Sequence, residues 1–516
     1  MKIVAGYDLY WAAKQFASRE AIIFGEQRVS YEQIDKRSNR LANALLDFGL
    51  APGDRIAVLL NNCVECVETV FAITKAGLAY VALNARHTAI EHAEIIRDSG
   101  ASVVIFGQEF ANEMRIVLAR SGDEIVNIGL GNNEAGYNYE HLIRSASSIA
   151  PMVELDDSST SRIIYTSGTT GTPKGIRYSY ARHYRRQENF FAALEYGLGI
   201  EHSMVHVGPL THAAGNYLIP YFLRGARNVI LSSFEPSSFL RTIENEKITH
   251  LLLVPTMLVR LLDHIDKNSV SYNISSLERI NYGTASTPPH VLRRGIEVFG
   301  AIFRQHYGMS EAPQPLTILY PHEHEISGDG IERLASCGRP TQNVNIVVRD
   351  PDGNELPLGE EGEITIKAVG VAAVEYWNNP TLLEETVRDG WFYTGDIGRI
   401  DDFGFLYIVG RVKDMIITGG FNVFSREVEN ALLQNSKIKD AAVFGCPDDE
   451  WGEVVVAAIV TEPNYELSAS EAINDCRKYI ASYKKPREVL FIEEIPRNNS
   501  GKIDKNELKR LWSKGN

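Results

Sequence analysis

Cysteine is scarce in this chain, with five among 516 residues, too few for a disulfide framework. Cys63 and Cys66 form a CxxC in "NNCVECVETVFAITKAG", but no second Cys or His pair lies nearby to complete a tetrahedral metal site. The same segment reads as a helix with Cys63, Val67, Val70 and Phe71 near one face, so both thiols are expected to be packing residues. No run of about 18 apolar residues occurs, which excludes a spanning helix. The opening "MKIVAGYDLYWAAKQ" lacks the apolar core and cleavage site of a signal peptide, so a cytoplasmic protein is expected. Positive charge is in deficit: 52 Lys and Arg against 66 Asp and Glu leave a net charge of −14, which argues against broad nucleic-acid binding. Anionic small ligands stay open, because backbone N–H groups and one lysine suffice to hold a phosphate. Solenoid repeats and low-complexity tracts are also missing, and 44% hydrophobic content fits an ordinary globular chain.

What is present is a regular alternation of strand-like and helix-like segments. "DRIAVLL" (54–60) reads as a buried strand, the Cys-containing helix follows, then "YVAL" (80–83), the helical "IEHAEIIRDSG" and the strand "ASVVIFG" (101–107). A second series starts at "SMVHVGPL" (203–210). It runs through the strands "NVILSS", "THLLLV", "RINYGT" and "AIFRQHYG", with "SSFLRTIENEK" and "PPHVLRRGIEVFG" as helices between them. Two such series imply two largely parallel sheets covered by helices, an α/β architecture. After about Glu332 the texture changes, and "NVNIVVRDPDGNELPLGEEGEITIKA" reads as two short strands around an Asp-Gly turn, a small β subdomain. Beyond "GRVKD", "REVENALLQN" and "ASEAINDCRKYIAS" read as helices, and "DAAVFGCP", "EVVVAAIV" and "EVLFIEE" as strands. That is a small α+β unit of about 100 residues. The expected division is a large N-terminal domain, 1–410, and a small C-terminal domain, 411–516.

The strongest chemical signal is "RIIYTSGTTGTPKGIRYSY" (162–180). A β-branched strand runs into Thr166, Ser167, Gly168, Thr169, Thr170, Gly171, Thr172, Pro173 and Lys174. Small residues let backbone N–H groups approach an anion, hydroxyls add donors, and the lysine adds charge, which is phosphate-binding chemistry. It is not a Walker A loop, because Pro173 precedes the lysine and Gly175 follows it where GK[ST] is required. The plainer reading is a Ser/Thr/Gly surface loop.

This stretch resembles the phosphate loop of the adenylate-forming superfamily, which includes acyl- and aryl-CoA synthetases, adenylation domains of peptide synthetases and firefly luciferases. Further segments resemble the family's motifs in the family's order: "PLTHAAG" (209–215) beside the acyl pocket, "YGMSEA" (307–312), the ribose-binding "YTGD" (393–396), the hinge "GRVKDMIITGG" (410–420) and the C-terminal lysine loop "PRNNSGK" (496–502). The resemblance implies a reaction in two halves. A carboxylate attacks the α-phosphate of Mg2+-bound ATP, giving acyl-AMP and pyrophosphate, and the thiol of coenzyme A then takes the acyl group. By the same resemblance Thr166 to Thr170, Gly171 and Lys174 hold the departing phosphates. Glu311, with Thr166, holds Mg2+, a hard ion that prefers oxygen ligands. Gly283, Thr284, Ala285, His306, Tyr307, Gly308, Met309 and Ser310 flank the adenine and the AMP phosphate. Asp396 accepts from both ribose hydroxyls, assisted by Arg411. Lys502 stabilises the charge that builds on the α-phosphate during adenylation. Lys413 is the hinge about which a mobile small domain turns, and Gly419 and Gly420 admit the pantetheine arm. His212, Ala213, Ala214, Gly215 and Asn216 border the acid, with Tyr217 as a further candidate and the small residues suggesting a roomy pocket.

Read without the family, Asp396 is a turn residue, Gly419-Gly420 a plain turn, Lys413 and Lys502 solvated charges, and His212 a packed or surface histidine. Departures from the pattern are Ser310 for the usual Thr, Phe424-Ser425 where Tyr-Pro or a similar pair is common, and Ile417 where some relatives carry a lysine. "PHEHE" (321–325) reads as solvated, and Arg182, His183, Arg185 and Arg186 read as one solvated helix face, with contact to the CoA 3′-phosphate as a minor alternative. The expected enzyme is an acyl-CoA synthetase using ATP, Mg2+ and coenzyme A, with fatty acids favoured and aryl or alicyclic acids open. A stand-alone enzyme loading a carrier protein is the alternative acceptor reading, since no carrier segment follows Asn516. A non-catalytic nucleotide sensor is disfavoured by the presence of Glu311 and Lys502. A homodimer is allowed, and no nucleic-acid partner is expected.

Overall fold

The computed structural model describes residues 1–121, 125–131, 136–166, 174–211, 213–268, 271–285, 287–313, 315–328, 330–368, 375–448, 450–463, 465–497 and 503–515. They form two compact units. One comprises Met1–Leu334, Thr341–Val344 and Ala368–Arg388, and the other Ala335–Pro340, Asn345–Lys367 and Asp389–Asn516.

The first unit is α/β, built on two large sheets. One has the strand order Lys174–Ser179, Thr160–Thr166, Ala79–Ala82, Arg55–Leu59, Val103–Phe106, Val126–Gly129 and Tyr137–Asn138, parallel except for the first pair. The other runs from Phe303–Tyr307 through Arg279–Gly283, His250–Leu253, Ser203–His206 and Arg227–Ile230 to Glu20–Phe24, all parallel. Antiparallel strands Thr317–Leu319 and Gln27–Ser30 flank these. The central strands are buried along their whole length, as continuous Val/Ile/Leu runs with helices on both faces require. Side chains fix the helix starts. Ser30 with Gln33, and Thr88 with Glu91, close capping boxes on Tyr31–Leu46 and Ala89–Ser99. Cys63 precedes the helix Val64–Lys75 and Cys66 is buried in it; burial pushes the Cys66 thiol up to about 12, so it is a packing residue as expected.

The second unit carries two antiparallel-rich sheets. Strands Val344–Arg349, Gly362–Ala368, Trp391–Ile400 and Leu406–Arg411 form the first, and an Asp350–Asn354 turn follows Val344–Arg349 as the Asp-Gly signal predicts. The C-terminal α+β part pairs Phe421–Phe424, Met415–Thr418, Gly452–Thr461 and Ile438–Asp448, with Glu488–Phe491 joining parallel to Gly452–Thr461. Helices Ser425–Leu432, Ala469–Cys476 and Lys505–Gly515 complete it. The helix expected through Ser482 stops at Cys476, where Lys478 and Tyr479 donate three residues back and tighten the chain into turns.

"PHEHE" is not solvated throughout. Glu323 and His324 are buried; His324 Nε2 lies 2.9 Å from the Tyr282 hydroxyl and Nδ1 2.8 Å from the Tyr320 carbonyl. Glu323 closes a 3-10 turn on the Tyr320 N–H, which folds the pair inward. Only the outer residues of that stretch meet solvent, His322 and Glu325 among them.

Candidate active site

Thr160–Thr166 and Lys174–Ser179 form an antiparallel hairpin in which Thr166 stands opposite Lys174. The loop between them, with Ser167, Gly168, Thr169, Thr170 and Gly171, lies outside the described residues, but its two ends are fixed. A threonine and a lysine therefore stand opposite each other at its base. The hairpin also separates this site from strand–loop–helix phosphate sites, where a helix N-terminus supplies the donors. Its outer strand is held in turn. Trp377 N–H donates to the Gly175 carbonyl at 2.8 Å, Arg177 N–H donates to the Glu375 carbonyl at 2.8 Å, and Arg177 pairs with the Glu375 carboxylate. A Cβ on Gly175 would sit 3.0 Å from Trp377 Cβ, so glycine is what lets this strand seat.

Gly283, Thr284 and Ala285 follow the strand Arg279–Gly283, and His306 and Tyr307 end its neighbour Phe303–Tyr307. Gly283 pairs with His306, and a Cβ there would meet the His306 carbonyl at 2.6 Å. Thr284 is exposed and held at φ 65, a left-handed conformation that a β-branched residue rarely adopts. Gly308, Met309, Ser310 and Glu311 make the turn that follows; Met309 N–H donates to the Ala312 carbonyl at 2.9 Å. Two side chains that sequence reasoning did not single out, or read as surface, clamp this turn. Tyr178 OH donates to the Ser310 carbonyl at 2.5 Å, and Arg182 Nη2 donates to the Glu311 carbonyl. The Arg182 guanidinium also lies 4.2 Å from the Tyr178 ring centroid. The Glu311 carboxylate itself has no hydrogen bond or ion pair to the described residues; its charge, after burial, pushes the Tyr376 phenol up to about 12.

The helix Tyr180–Ala193, capped by Ser179, corrects the expectation of a solvated basic face. Arg182 and Arg186 are buried, His183 is half-buried, and only Arg185 is exposed. Their i, i+4 spacing puts Arg182 and Arg186 on one face, and that face turns inward.

His212 lies outside the described residues. Ala213, Ala214, Gly215 and Asn216 form a 3-10 turn, and His206 Nδ1 lies 3.1 Å from the Ala214 carbonyl. At Gly215 the missing side chain serves close packing: a Cβ there would stand 1.9 Å from the Leu210 carbonyl oxygen. Tyr217 OH meets His306 Nε2 at 2.6 Å and so ties the segment after Ala213–Asn216 to the strand Phe303–Tyr307.

In the second unit, Asp396 and Arg411 are cross-strand partners with Arg411 Nε 2.8 Å from Asp396 Oδ1. Asp396 is buried, and its N–H donates to Thr394 Oγ1 at 3.0 Å. Lys413 is exposed in the 3-10 turn Val412–Asp414. Gly419 and Gly420, at φ 57 and 80, are the two loop residues of the hairpin in which Thr418 pairs with Phe421. Two successive left-handed residues make the mirror-image turn such hairpins prefer. A side chain at Gly419 would meet the Trp451 ring at 2.7 Å. The Phe424-Ser425 departure has a defined path: Phe424 ends a strand, and Ser425 starts a helix, donates to the Asp414 carbonyl at 3.2 Å and accepts from Lys505 Nζ at 2.9 Å. Lys502 lies outside the described residues. On either side of the segment that holds it, Arg497 bridges to Ile503, Asp504 N–H donates to the Pro496 carbonyl at 2.8 Å, and Ile495 is buried.

No group of three or more His, Cys, Asp or Glu that could cage a metal occurs among the described residues, and none of their helices is long and apolar enough to cross a membrane. A carboxylate such as Glu311, with no hydrogen bond or ion pair to the described residues, suits Mg2+, which keeps waters and binds through one or two carboxylates plus substrate phosphates.

Comparison with known proteins places these features in one lineage. The family model "AMP-binding enzyme" matches residues 9–377 and "AMP-binding enzyme C-terminal domain" matches 427–502. The chain is 32% identical to a medium/long-chain-fatty-acid–CoA ligase, FadD8, of Mycobacterium tuberculosis, over 98% of this chain and 90% of that protein. It is 33% identical to a feruloyl-CoA synthase of an Amycolatopsis species, over 95% of this chain and 96% of that one. Among solved structures it resembles the amide bond synthetase McbA of Marinactinospora thermotolerans, with TM-score 0.87 and 28% identity over 98% of this chain and 99% of that one. The chain belongs to the AMP-binding, adenylate-forming enzymes, and within them to the AMP-forming acid–CoA ligases.

Proposed function

We propose that this enzyme adenylates a carboxylic acid at the hairpin loop 166–174 and passes the acyl group to coenzyme A. The observation that carries the reading is the hairpin itself, which sets Thr166 against Lys174 at the base of a Ser/Thr/Gly loop. In the first half-reaction a carboxylate oxygen attacks the α-phosphorus of ATP and pyrophosphate leaves. Thr166, Ser167, Thr169, Thr170 and Lys174 bind the departing phosphates by charge-assisted hydrogen bonds. Tyr178 and Arg182 fix the main chain of Ser310 and Glu311, from which the Glu311 side chain extends. Glu311, with Thr166, is the residue set for Mg2+, which when bound neutralises phosphate charge. Lys502 contributes its ammonium to the charge gathering on the α-phosphate. Asp396 accepts from the ribose hydroxyls with Arg411 beside it. In the second half the thiolate of coenzyme A attacks the acyl carbonyl and AMP leaves, with Gly419 and Gly420 beside the pantetheine arm. Lys413 is the hinge that changes one half-reaction for the other.

Fatty acids remain the favoured acid class from sequence, with aryl and alicyclic acids as alternatives; the relatives' names divide between fatty-acid and aryl-acid ligases. A second reading keeps adenylation and changes the acceptor. It is favoured by the full-length likeness to an amide bond synthetase, and it includes a carrier protein or an amine. The test is pyrophosphate release over a panel of carboxylic acids, with and without coenzyme A, followed by acyl-CoA detection. Acyl-CoA formation is expected, and product that forms only with an amine or a carrier protein supports the second reading instead. Lys502→Ala should nearly abolish acyl-AMP formation and largely spare thioester formation from supplied acyl-AMP. Equal loss in both halves would remove Lys502 from the first.

A further inference from the structure

The inward face of the helix Tyr180–Ala193 borders a cavity that the adenylation chemistry leaves unused. It measures about 60 Å³ and is lined by Arg162, His183, Arg186 and Gln187, and by Gly215 and Asn216 of the acid-side turn. Arg186 is 8% exposed, yet no hydrogen bond or ion pair joins it to the described residues. The groups that act on its charge are Tyr178, Tyr217, Arg162 and Arg182, none of them a carboxylate. Burial pushes the guanidinium down to about 10, so it remains a cation at neutral pH. Arg162 adds a second positive charge: its Nη2 donates to the Thr211 carbonyl at 3.0 Å, while its Nε is buried without a partner. His183 does not offset them. Burial and both arginines hold its pKa down to about 3, and with the Gln187 amide donating to Nε2 at 2.7 Å the proton of the neutral ring sits on Nδ1, one more donor.

Elsewhere this protein treats a buried arginine differently. Arg304 is 4% exposed and is matched by Glu195 at 2.5 Å and by Asn281 Oδ1 at 2.7 Å. Arg182 is satisfied by two main-chain carbonyls. An unmatched buried guanidinium is costly, and a cavity at its side is where the missing anion fits. The cavity volume is far below the few hundred Å³ of a typical ligand pocket, so it suits a small terminal group rather than an acyl chain.

We propose that the cavity receives a second carboxylate carried by the acid substrate, so that the enzyme activates dicarboxylic acids and Arg186 is the residue that selects them. The proposal rests on the adenylation reading above. Arginine and carboxylate pair through two parallel hydrogen bonds, a geometry lysine does not reproduce. Arg162 and His183 supply the remaining donors, and Gly215 and Asn216 connect the cavity to the segment beside which the reacting carboxylate is held.

The test measures kcat/KM for pyrophosphate release with glutaric, adipic, suberic and homophthalic acids, each beside its monomethyl ester, which keeps the length and removes one charge. The native enzyme should favour at least one diacid over its half-ester by about tenfold or more, the scale of a charged hydrogen bond. Arg186→Met should erase that ratio, and Arg186→Lys should restore part of it. Half-esters used as well as diacids in every pair, or a ratio that survives Arg186→Met, overturns the proposal, and would assign the cavity to a free inorganic anion. If Arg186→Met does not fold, the native ratio and Arg186→Lys decide. Pyrophosphate release from monocarboxylic acids alone sinks this proposal and leaves the adenylation reading standing. Release from no acid at all sinks both.

Discussion

Thr284 shows how much one residue's backbone can say. It sits at φ 65, between Gly283, whose Cβ position is blocked by the His306 carbonyl, and Ala285. Left-handed backbone in a β-branched residue costs on the order of 1–3 kcal/mol, and such strain collects at ligand sites. Thr284 is exposed, so its side chain does not repay the cost by packing. Asparagine tolerates this conformation. Thr284→Asn should therefore raise the stability of the enzyme by about 1 kcal/mol in urea unfolding while raising the KM for ATP, because the threonine geometry would be kept for the nucleotide. A midpoint that does not move means the backbone at Thr284 is not strained.

At the scale of elements, the turn Ala213–Asn216 carries the sharpest steric constraint in the acid-side segment. Gly215→Ala would drive a methyl group into the Leu210 carbonyl, so the turn must shift. Overpacking of this kind costs about 1–3 kcal/mol. The expected outcome is a lower melting temperature together with a KM for the acid raised more than the KM for ATP. Equal effects on both KM values would detach the turn from acid recognition. Sequence reached most of the elements around this site, because strands buried on both faces and helices capped by Ser, Thr and Asn carry local signals. The strands Arg55–Leu59 and Val103–Phe106 and the helix Ala89–Ser99 are instances. What it missed has one physical origin. Arg182, Arg186 and His324 were read as solvated because polar spacing on a helix or in a loop normally means solvent. Their burial is set by partners remote in the chain: Glu311 lies 129 residues from Arg182, and Tyr282 lies 42 from His324. No local pattern encodes those pairings. Gly215 was misread for the same reason, since a small residue looks like space until the carbonyl opposite it is known.

On the scale of the whole molecule, the ionisable groups divide unequally. All 13 histidines precede residue 325, so every one belongs to the first unit. Burial holds the pKa of five of them down, with His183 and His250 pushed to about 3, His206 and His324 to about 4, and His87 below its ordinary value. The sign follows from proton linkage. Above pH 6.5 these rings are neutral both folded and unfolded, and stability does not depend on them. Below 6.5 the unfolded chain binds protons that the folded unit refuses, so stability falls as pH falls, by about 1.4 kcal/mol per pH unit for each ring, until the folded pKa is reached. Asp8 and Glu68, whose pKa values burial raises, act the other way in the same unit, but they are two against five. The second unit has no histidine, and its buried Glu429 and exposed Glu361 also have raised pKa values. Those carboxyls bind protons more readily folded than unfolded, so they favour the folded state as pH falls toward 4.5. Lowering the pH from 7 to 5 should therefore loosen the first unit and not the second. Hydrogen exchange followed by peptide mass analysis at the two pH values, corrected for the intrinsic exchange rate, separates them. Protection should drop in Ser203–His206 and His250–Leu253 and hold in Ile438–Asp448 and Gly452–Thr461. A parallel loss in both units would mean that acid acts through something other than the buried histidines.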